Sequence, residues 1–530
     1  MASNKRKKSE RNASGKSPVE ESNGRGASDS RILGIIKHRA FAAVLLFLVS
    51  FSVFTPSLRN GLVWDDFRDV KAKAPIYKSS HLDLKLLLPF RSDDVKKNAN
   101  KDTKKTEYFR PLYSASLVID NRIWGVSPFG FHLTNIVLHS VCTVLLYFLI
   151  LLLIKEFNRG SGENEAFLGA MLFALFPLHV ESVSFIAARG DLLAAMFFLF
   201  CLIFYIMSYK KFFFIILAGI CFYLSFLSKE VAFSFPVMIF GIDLIGRRLF
   251  TYVNILKYIM IGLLIVLYFY ARSGSIMNFS SLLTVNVYDK TGAIPGFGDS
   301  IIVFFGTYLF YIEKLLFPYY LNHFIGTIAG GDASHIIISL LLVAVVTAAF
   351  LISIRKKENV TAFSLLWIFA TLGPAVIIAI YPLAITRFAE RFVYVPSAGY
   401  CMLVGYLIVR AGSLKGQKWL SWVIGGLLCV SYLFIVVKGQ EIWRNELTFW
   451  EAAVRKSPLQ IVPKLRYGDA LASSGRTDEA INQFLMALSP NIDSDYRGRV
   501  MAAHGLGVAY IAKGDYVKAE KWFKAALDYS

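Results

Sequence analysis

Charged side chains make up only 18% of this 530-residue chain, and that shortage excludes the three or four soluble domains its length would otherwise suggest. Cysteine is scarce as well. The five present, Cys142, Cys201, Cys221, Cys401 and Cys429, all fall in apolar segments without metal-ligand spacing or a loop framework, which disfavours zinc sites and a disulfide scaffold. No Walker loop, dinucleotide fingerprint, Gly-x-Ser-x-Gly elbow or His-Glu-x-x-His helix occurs, so soluble nucleotide donors are disfavoured too. What fills the chain is apolar. Hydrophobic residues reach 55% and aromatics 15%, and charge-free stretches near the length of a bilayer crossing recur from Ala40 to Val437.

The net charge of +20 might suggest nucleic acid, but much of it sits in the N-terminal tail and in short clusters between apolar runs. That pattern is a topology signal, and nucleic acid is not an expected partner. Residues 1–30, with Lys5-Arg6-Lys7-Lys8 and almost nothing apolar, read as a disordered cytoplasmic tail. The run from Ala40 to Leu58 follows Lys37-His38-Arg39 and lacks an Ala-x-Ala cleavage signal, so a retained signal anchor is expected. Further spans are expected at 131–154, 166–186, 191–208, 212–227, 231–245, 253–270, 335–354, 361–380, 392–409 and 419–437, which makes eleven. With the tail inside, Lys155 and Arg159, Lys210-Lys211, Arg247-Arg248, Arg355-Lys356-Lys357, and Lys415 with Lys418 all fall on the cytoplasmic side. That agreement requires residues 300–317, which carry Glu313-Lys314 within an aromatic run, to lie as an amphipathic helix on the outer face. The expected fold is thus all-α: a polytopic membrane domain over 31–437, with outer regions at 57–130 and 271–334.

Composition changes after the last span. Residues 438–530 hold 13 Lys and Arg against 11 Asp and Glu, with regularly spaced Ala, Leu and aromatics, and read as a soluble helical appendage. Gly475-Arg476-Thr477-Asp478-Glu479-Ala480 answers Gly514-Asp515-Tyr516-Val517-Lys518-Ala519 at an offset of 39, a 34-residue helix-turn-helix period plus an insertion near Asn491. Gly468 and Phe484 in the first copy correspond to Gly507 and Phe523 in the second. The pattern resembles tetratricopeptide repeats. Two copies are visible, and so short an array either caps poorly or docks on the membrane domain.

Polar residues gather at the expected outer ends of the spans. Asn60-Gly61-Leu62-Val63-Trp64-Asp65-Asp66 places two adjacent carboxylates just after the first span, as either a solvated turn or a catalytic pair. His132, Asn135 and His139 share one helical face, as interhelical glue or a lined cavity. His179, Glu181, Arg189 and Asp191 flank one outer turn, Lys229 and Glu230 the next, and Arg387, Glu390 and Arg391 the last, and internal ion pairing is the plain alternative. A site combining carboxylates with Arg, Lys and His suits chemistry on a phosphate leaving group: the cations stabilise its developing charge while a carboxylate takes a hydroxyl proton. A lipid phosphate is the natural donor, its tail between helices and its head at the outer face.

Val63-Trp64-Asp65-Asp66, Arg110-Pro111-Leu112, Phe131-His132-Leu133-Thr134-Asn135 with His139, Pro177-Leu178-His179-Val180-Glu181, Arg189-Gly190-Asp191, Lys229-Glu230, Ala389-Glu390-Arg391 and Tyr394-Val395-Pro396 occur in that order, with repeats behind them. The ordered set resembles the transmembrane and tetratricopeptide-repeat O-mannosyltransferases and their bacterial relatives, within the wider C-type glycosyltransferases, over nearly the whole chain from about residue 35. The resemblance implies inverting sugar transfer from a polyprenyl-phosphate donor to Ser or Thr hydroxyls of exported protein, with the repeats in the periplasm at a bacterial inner membrane or in the lumen of the endoplasmic reticulum. On that pattern Asp65 is the base or a metal ligand and Asp66 its partner, holding a divalent cation, Mg or Mn, if one is used. His179, Arg189, Lys229 and Arg391 are then candidates for the donor phosphate, with His132, Glu181, Asp191, Glu230, Arg387 and Glu390 supporting them, and the repeats hold the acceptor protein. A lipid or envelope-glycan acceptor, whole-oligosaccharide transfer, or a membrane scaffold recruiting partners through its repeats are the competing readings. All the catalytic readings require Asp65, Lys229 and Arg391 to meet in one outer pocket.

Overall fold

A computed structural model describes residues 38–74, 110–158, 160–276, 296–326, 333–381, 386–414, 416–492 and 496–529. The tail at 1–30 lies outside the described residues, as do residues 75–109 of the loop at 57–130 and residues 277–295 and 327–332 of the region 271–334. A short N-terminal unit ends at Leu45, and its described part, 38–45, is helical; the remainder of the chain forms the second unit.

Among the described residues the protein is a helical, polytopic membrane protein. Eight helices are long and apolar enough to cross a bilayer: His38–Arg59, Pro128–Phe157, Ile186–Met207, Tyr252–Arg272, Ser334–Arg355, Asn359–Ile380, Glu390–Leu414 and Lys418–Arg444. The other three expected spans fall short of that length. Residues 166–186 divide into Glu163–Ala174 and His179–Ser184, because Pro177 has no N–H to continue the ladder and the intervening turn bends the chain. Phe214–Phe226 has 13 residues, and Phe235–Ile245 has 11 after a single tight turn at Glu230–Ser234. Breaking the helices there brings His179, Glu181, Lys229 and Glu230 to corners between helices, where the first three are buried against partners from other elements.

Residues Phe297–Leu316 form one helix outside the set of eight. It packs lengthwise on an apolar neighbour: Tyr308 stacks on Phe369 at 5.0 Å between ring centroids, and its hydroxyl donates to the Phe369 carbonyl at 3.0 Å. Phe369 lies midway along Asn359–Ile380, so the helix follows a spanning segment for part of its length instead of lying only on the outer face, and in its last turn Lys314 meets Glu390.

Charge is segregated to the two ends of the bundle. At one end Arg248 pairs with Glu156, and Arg410 with Glu358 at 2.9 Å, near the basic connectors. At the other end Asp191, Glu181, Arg391 and Lys229 gather. The helix Arg189–Met207 separates these levels by about 28 Å at 1.5 Å per residue.

Beyond the last long helix come Glu446–Lys456, Ile461–Ser473, Thr477–Ala487, Tyr496–Ala512 and Tyr516–Asp528. The sequence correspondence extends to packing. A Cβ on Gly468 would lie 2.6 Å from the Phe484 ring, and one on Gly507 would lie 2.6 Å from the Phe523 ring, so each hairpin closes on an aromatic that needs a glycine opposite. These helices dock on the membrane-embedded part. Ser457 Oγ donates to the Phe324 carbonyl at 2.6 Å, Lys456 donates to the Leu321 carbonyl, and Ile325 forms an antiparallel bridge with Phe388.

Candidate functional site

The acidic segment after the first long helix is held from three sides. Ser57 Oγ lies 2.8 Å from both Gln440 Oε1, to which it donates, and Ser184 Oγ, tying the ends of the first and last long helices to the short helix His179–Ser184. The Gly61 amide donates to the Arg444 carbonyl at 2.9 Å. Leu62 and Val70 are buried with Leu117, Val118, Phe131 and Ile186, which anchors the turn beneath.

That framework gives the two aspartates different surroundings. Asp66 is fully buried; its oxygens accept the Ala187 amide at 2.9 Å and the Val63 amide at 3.3 Å. Burial pushes its carboxyl well above the usual range against these two bonds, and the negative charges of Asp69 and Asp65 add to the rise. Asp65 points outward, its side chain 40% exposed, with Arg68 at 3.5 Å as a loose surface partner. Trp64 adopts φ 51°, a conformation costly for a side chain with a Cβ. Its ring stacks 5.8 Å from Phe185 and its amide donates to Glu446 of the C-terminal helices, so that strain is opposed by packing and a charged acceptor.

Sequence reasoning passed over Asp69, four residues after Asp65. Its side chain is buried and takes the Tyr113 hydroxyl at 2.7 Å, Arg68 at 3.0 Å and Lys73 at 3.1 Å. Burial would raise this carboxyl, but those hydrogen bonds and charges bring it below its ordinary value. The spacing of the two residues was the available signal. Glu446 was also missed and carried no motif at all.

A cluster of cations faces this turn. Arg391 is held by Glu181, which accepts from one terminal guanidinium nitrogen and, at 3.1 Å, from the Arg391 amide. Its guanidinium lies over Phe185, on the ring that also carries Trp64, and it interacts electrostatically with Asp191 and Asp65. Lys229 Nζ sits 2.6 Å from Asp191 Oδ2, and Arg110 bonds Glu230 at 2.6 Å. Burial brings the Lys229 ammonium down from 10.5 to about 8; Asp191 opposes that shift, and the positive charges of Arg110 and Arg391 add to it. Lys229 therefore feels both Arg110 and Arg391, each of the three paired with its own carboxylate, and Arg391 reaches on to Asp65.

Other expected site residues are committed to the protein. Arg189 is fully buried and saturated by Asp120 at 2.6 Å, Asn135 at 2.8 Å and the Phe131 carbonyl at 2.9 Å, which leaves it no edge for a donor phosphate. His179 is buried among Phe173, Phe176 and Tyr394 with Nε2 2.7 Å from Ser397 Oγ, again away from the cations. His132 packs buried in the same interior, and His139 bonds the Tyr394 hydroxyl at 2.8 Å, so the His132, Asn135 and His139 face joins helices. Glu390 holds Lys314 at 2.8 Å and the Asn322 amide at 2.7 Å. Arg387 is half-buried with no ion pair or hydrogen bond to its side chain among the described residues. At the expected cation position both Asp66 oxygens accept amides and Asp65 turns outward toward Arg68, and no group of three His, Cys, Asp or Glu able to hold a metal exists among the described residues.

Comparison with known proteins agrees with the resemblance read from the motifs. The chain is 24% identical over 508 residues to the human protein O-mannosyl-transferase TMTC4, covering 84% of this chain and 66% of that protein. It is 24% identical over 460 residues to the Caenorhabditis elegans protein O-mannosyl-transferase F38B6.6, covering 85% and 63%. Over 160 residues, 30% of this chain and 16% of the relative, it is 32% identical to mouse protein O-mannosyl-transferase TMTC1. The chain thus spans just under two thirds of the length of the first two relatives. No family model and no solved structure matches it.

Proposed function

We propose that this protein is a membrane glycosyltransferase that moves a sugar from a polyprenyl-phosphate donor to a Ser or Thr hydroxyl of a protein, with inversion at the sugar carbon. The observation that carries the reading is Arg391, which interacts electrostatically with the outward-facing Asp65 and also with Lys229, itself within reach of Arg110. Each of the three is paired with a carboxylate, Arg110 with Glu230, Lys229 with Asp191 and Arg391 with Glu181, so a phosphate would bind to the guanidinium nitrogens of Arg391 that Glu181 leaves open. The similarity to protein O-mannosyl-transferases supports the same class.

In this reading Asp65 is the general base. Its carboxylate accepts the proton of the acceptor hydroxyl as that oxygen attacks the anomeric carbon from the face opposite the phosphate. The bond from that carbon to the donor phosphate oxygen breaks, and polyprenyl phosphate leaves with the bonding pair. Arg391 meets the growing negative charge with the guanidinium nitrogens that Glu181 does not engage, and Lys229 and Arg110 add to the field. Asp66 positions the turn through Ala187 and Val63, and Arg189 and His179 hold the helices around it.

The test is sugar transfer from a synthetic polyprenyl-phosphate mannose to a Ser/Thr peptide by purified protein in lipid nanodiscs. Asp65→Asn is expected to lower kcat by roughly 100-fold or more, the scale for losing a general base. Full activity in a folded Asp65→Asn protein would overturn the assignment.

A further inference from the structure

Behind the acidic turn lies a second, separate cleft of about 800 Å³, where the end of the first long helix meets the start of Pro128–Phe157 and the end of the last. Its walls divide into two chemistries. Leu58, Phe129 and Val437 supply apolar surface, and Arg59, Asn60 and Arg444 supply donors. Both arginines are exposed, and among the described residues neither side chain has an ion pair or hydrogen bond.

We propose that this cleft binds the phosphodiester headgroup of a membrane lipid, with Arg59 and Arg444 on the phosphate oxygens. Guanidinium forks match phosphate geometry, and the site lies at the ends of spanning helices, where a headgroup and the start of its acyl chains occupy neighbouring zones. Glu441 also lines the cleft, so the side-chain charge is two positive against one negative. That balance favours a singly charged diester over a doubly charged monoester. The site is distinct from the Asp65, Lys229 and Arg391 cluster and does not rest on sugar transfer. One link between the two is the backbone bond from Gly61 to Arg444, through which a lipid here would brace the turn that carries Asp65.

The test uses the full chain purified in detergent, titrated separately with dioctanoyl phosphatidylglycerol, dioctanoylglycerol lacking phosphate, and inorganic phosphate. Native mass spectrometry counts adducts and thermal melting follows binding. Saturable binding of the phospholipid is expected, with no comparable binding of dioctanoylglycerol. Arg59→Gln with Arg444→Gln should remove one bound lipid and weaken affinity tenfold or more, while the unliganded melting temperature stays at the wild-type value, because only the main chain of Arg444 holds Gly61. Arg391→Gln with Lys229→Gln serves as the control for the other cationic site and should leave this lipid in place. Equal phospholipid binding by wild type and the Arg59 and Arg444 double variant, or equal binding of dioctanoylglycerol, overturns the proposal. Inorganic phosphate binding as tightly as the phospholipid overturns the lipid assignment in favour of a free anion.

Discussion

Replacing Glu446 by alanine should slow sugar transfer although Glu446 lies in the C-terminal helices and touches no reacting atom. Its two carboxylate oxygens accept from the Trp64 amide and from Trp450 Nε1, the latter at 2.9 Å. A hydrogen bond to a charged group contributes about 1.5–3 kcal/mol, and a left-handed backbone costs an ordinary residue about 1–2 kcal/mol. Without the acceptor, the Trp64 conformation at φ 51° loses the term that opposes its strain. Taking about 2 kcal/mol as the shift, the ratio of the turn presenting Asp65 to its alternatives would fall roughly 30-fold, which sets the upper limit of the loss. In the nanodisc transfer assay, Glu446→Ala should therefore lower kcat by up to that factor and leave the KM for the polyprenyl-phosphate donor nearly unchanged, since the cations are untouched. Glu446→Gln keeps an acceptor oxygen and should recover part of the loss. Wild-type kcat in Glu446→Ala, or a loss confined to donor KM, would refute the clamp.

Three further outcomes follow from the same geometry. As pH rises through about 8 the Lys229 ammonium loses its proton, so donor KM should climb between pH 7 and 9, and Lys229→Arg should flatten that limb. The unfolded chain keeps that proton up to the ordinary lysine value near 10.5, so this group's contribution to stability rises over the interval, and a melting curve at pH 9 checks that the loss is not unfolding. Arg189→Met strands buried Asp120 and should cost about 3–5 kcal/mol, read as a lowered melting temperature; adding Asp120→Asn should restore part of it. Gly507→Val forces a side chain into the Phe523 ring and should cost about 1–3 kcal/mol, read as faster trypsin cleavage within residues 496–529.

The sequence order already carried the bundle, the polar corners and the repeat spacing, because hydropathy and fixed offsets are local properties. Pairing across long separations was not legible: Glu181 with Arg391 and Arg110 with Glu230 each join corners more than a hundred residues apart. Nor does composition tell a phosphate ligand from a structural cation. Arg189 and Arg391 read alike in the chain, yet one is enclosed by Asp120, Asn135 and a carbonyl, and the other keeps an open edge. Adjacent Asp65 and Asp66 were separable only once the Ala187 amide fixed which one turns inward. The interruption at Pro177 was masked because the residues on both sides are apolar enough to continue a rod.

The amide of Trp64 has an owner almost four hundred residues downstream, which makes the two halves of this polypeptide poor candidates for separation. Its ring packs with Phe449 and Trp450, so the Trp64 indole would lose that cover and be bared if translation stopped at the last membrane crossing. Any shortened version intended for reconstitution has to run at least through Lys456, and fusion partners belong after that helix.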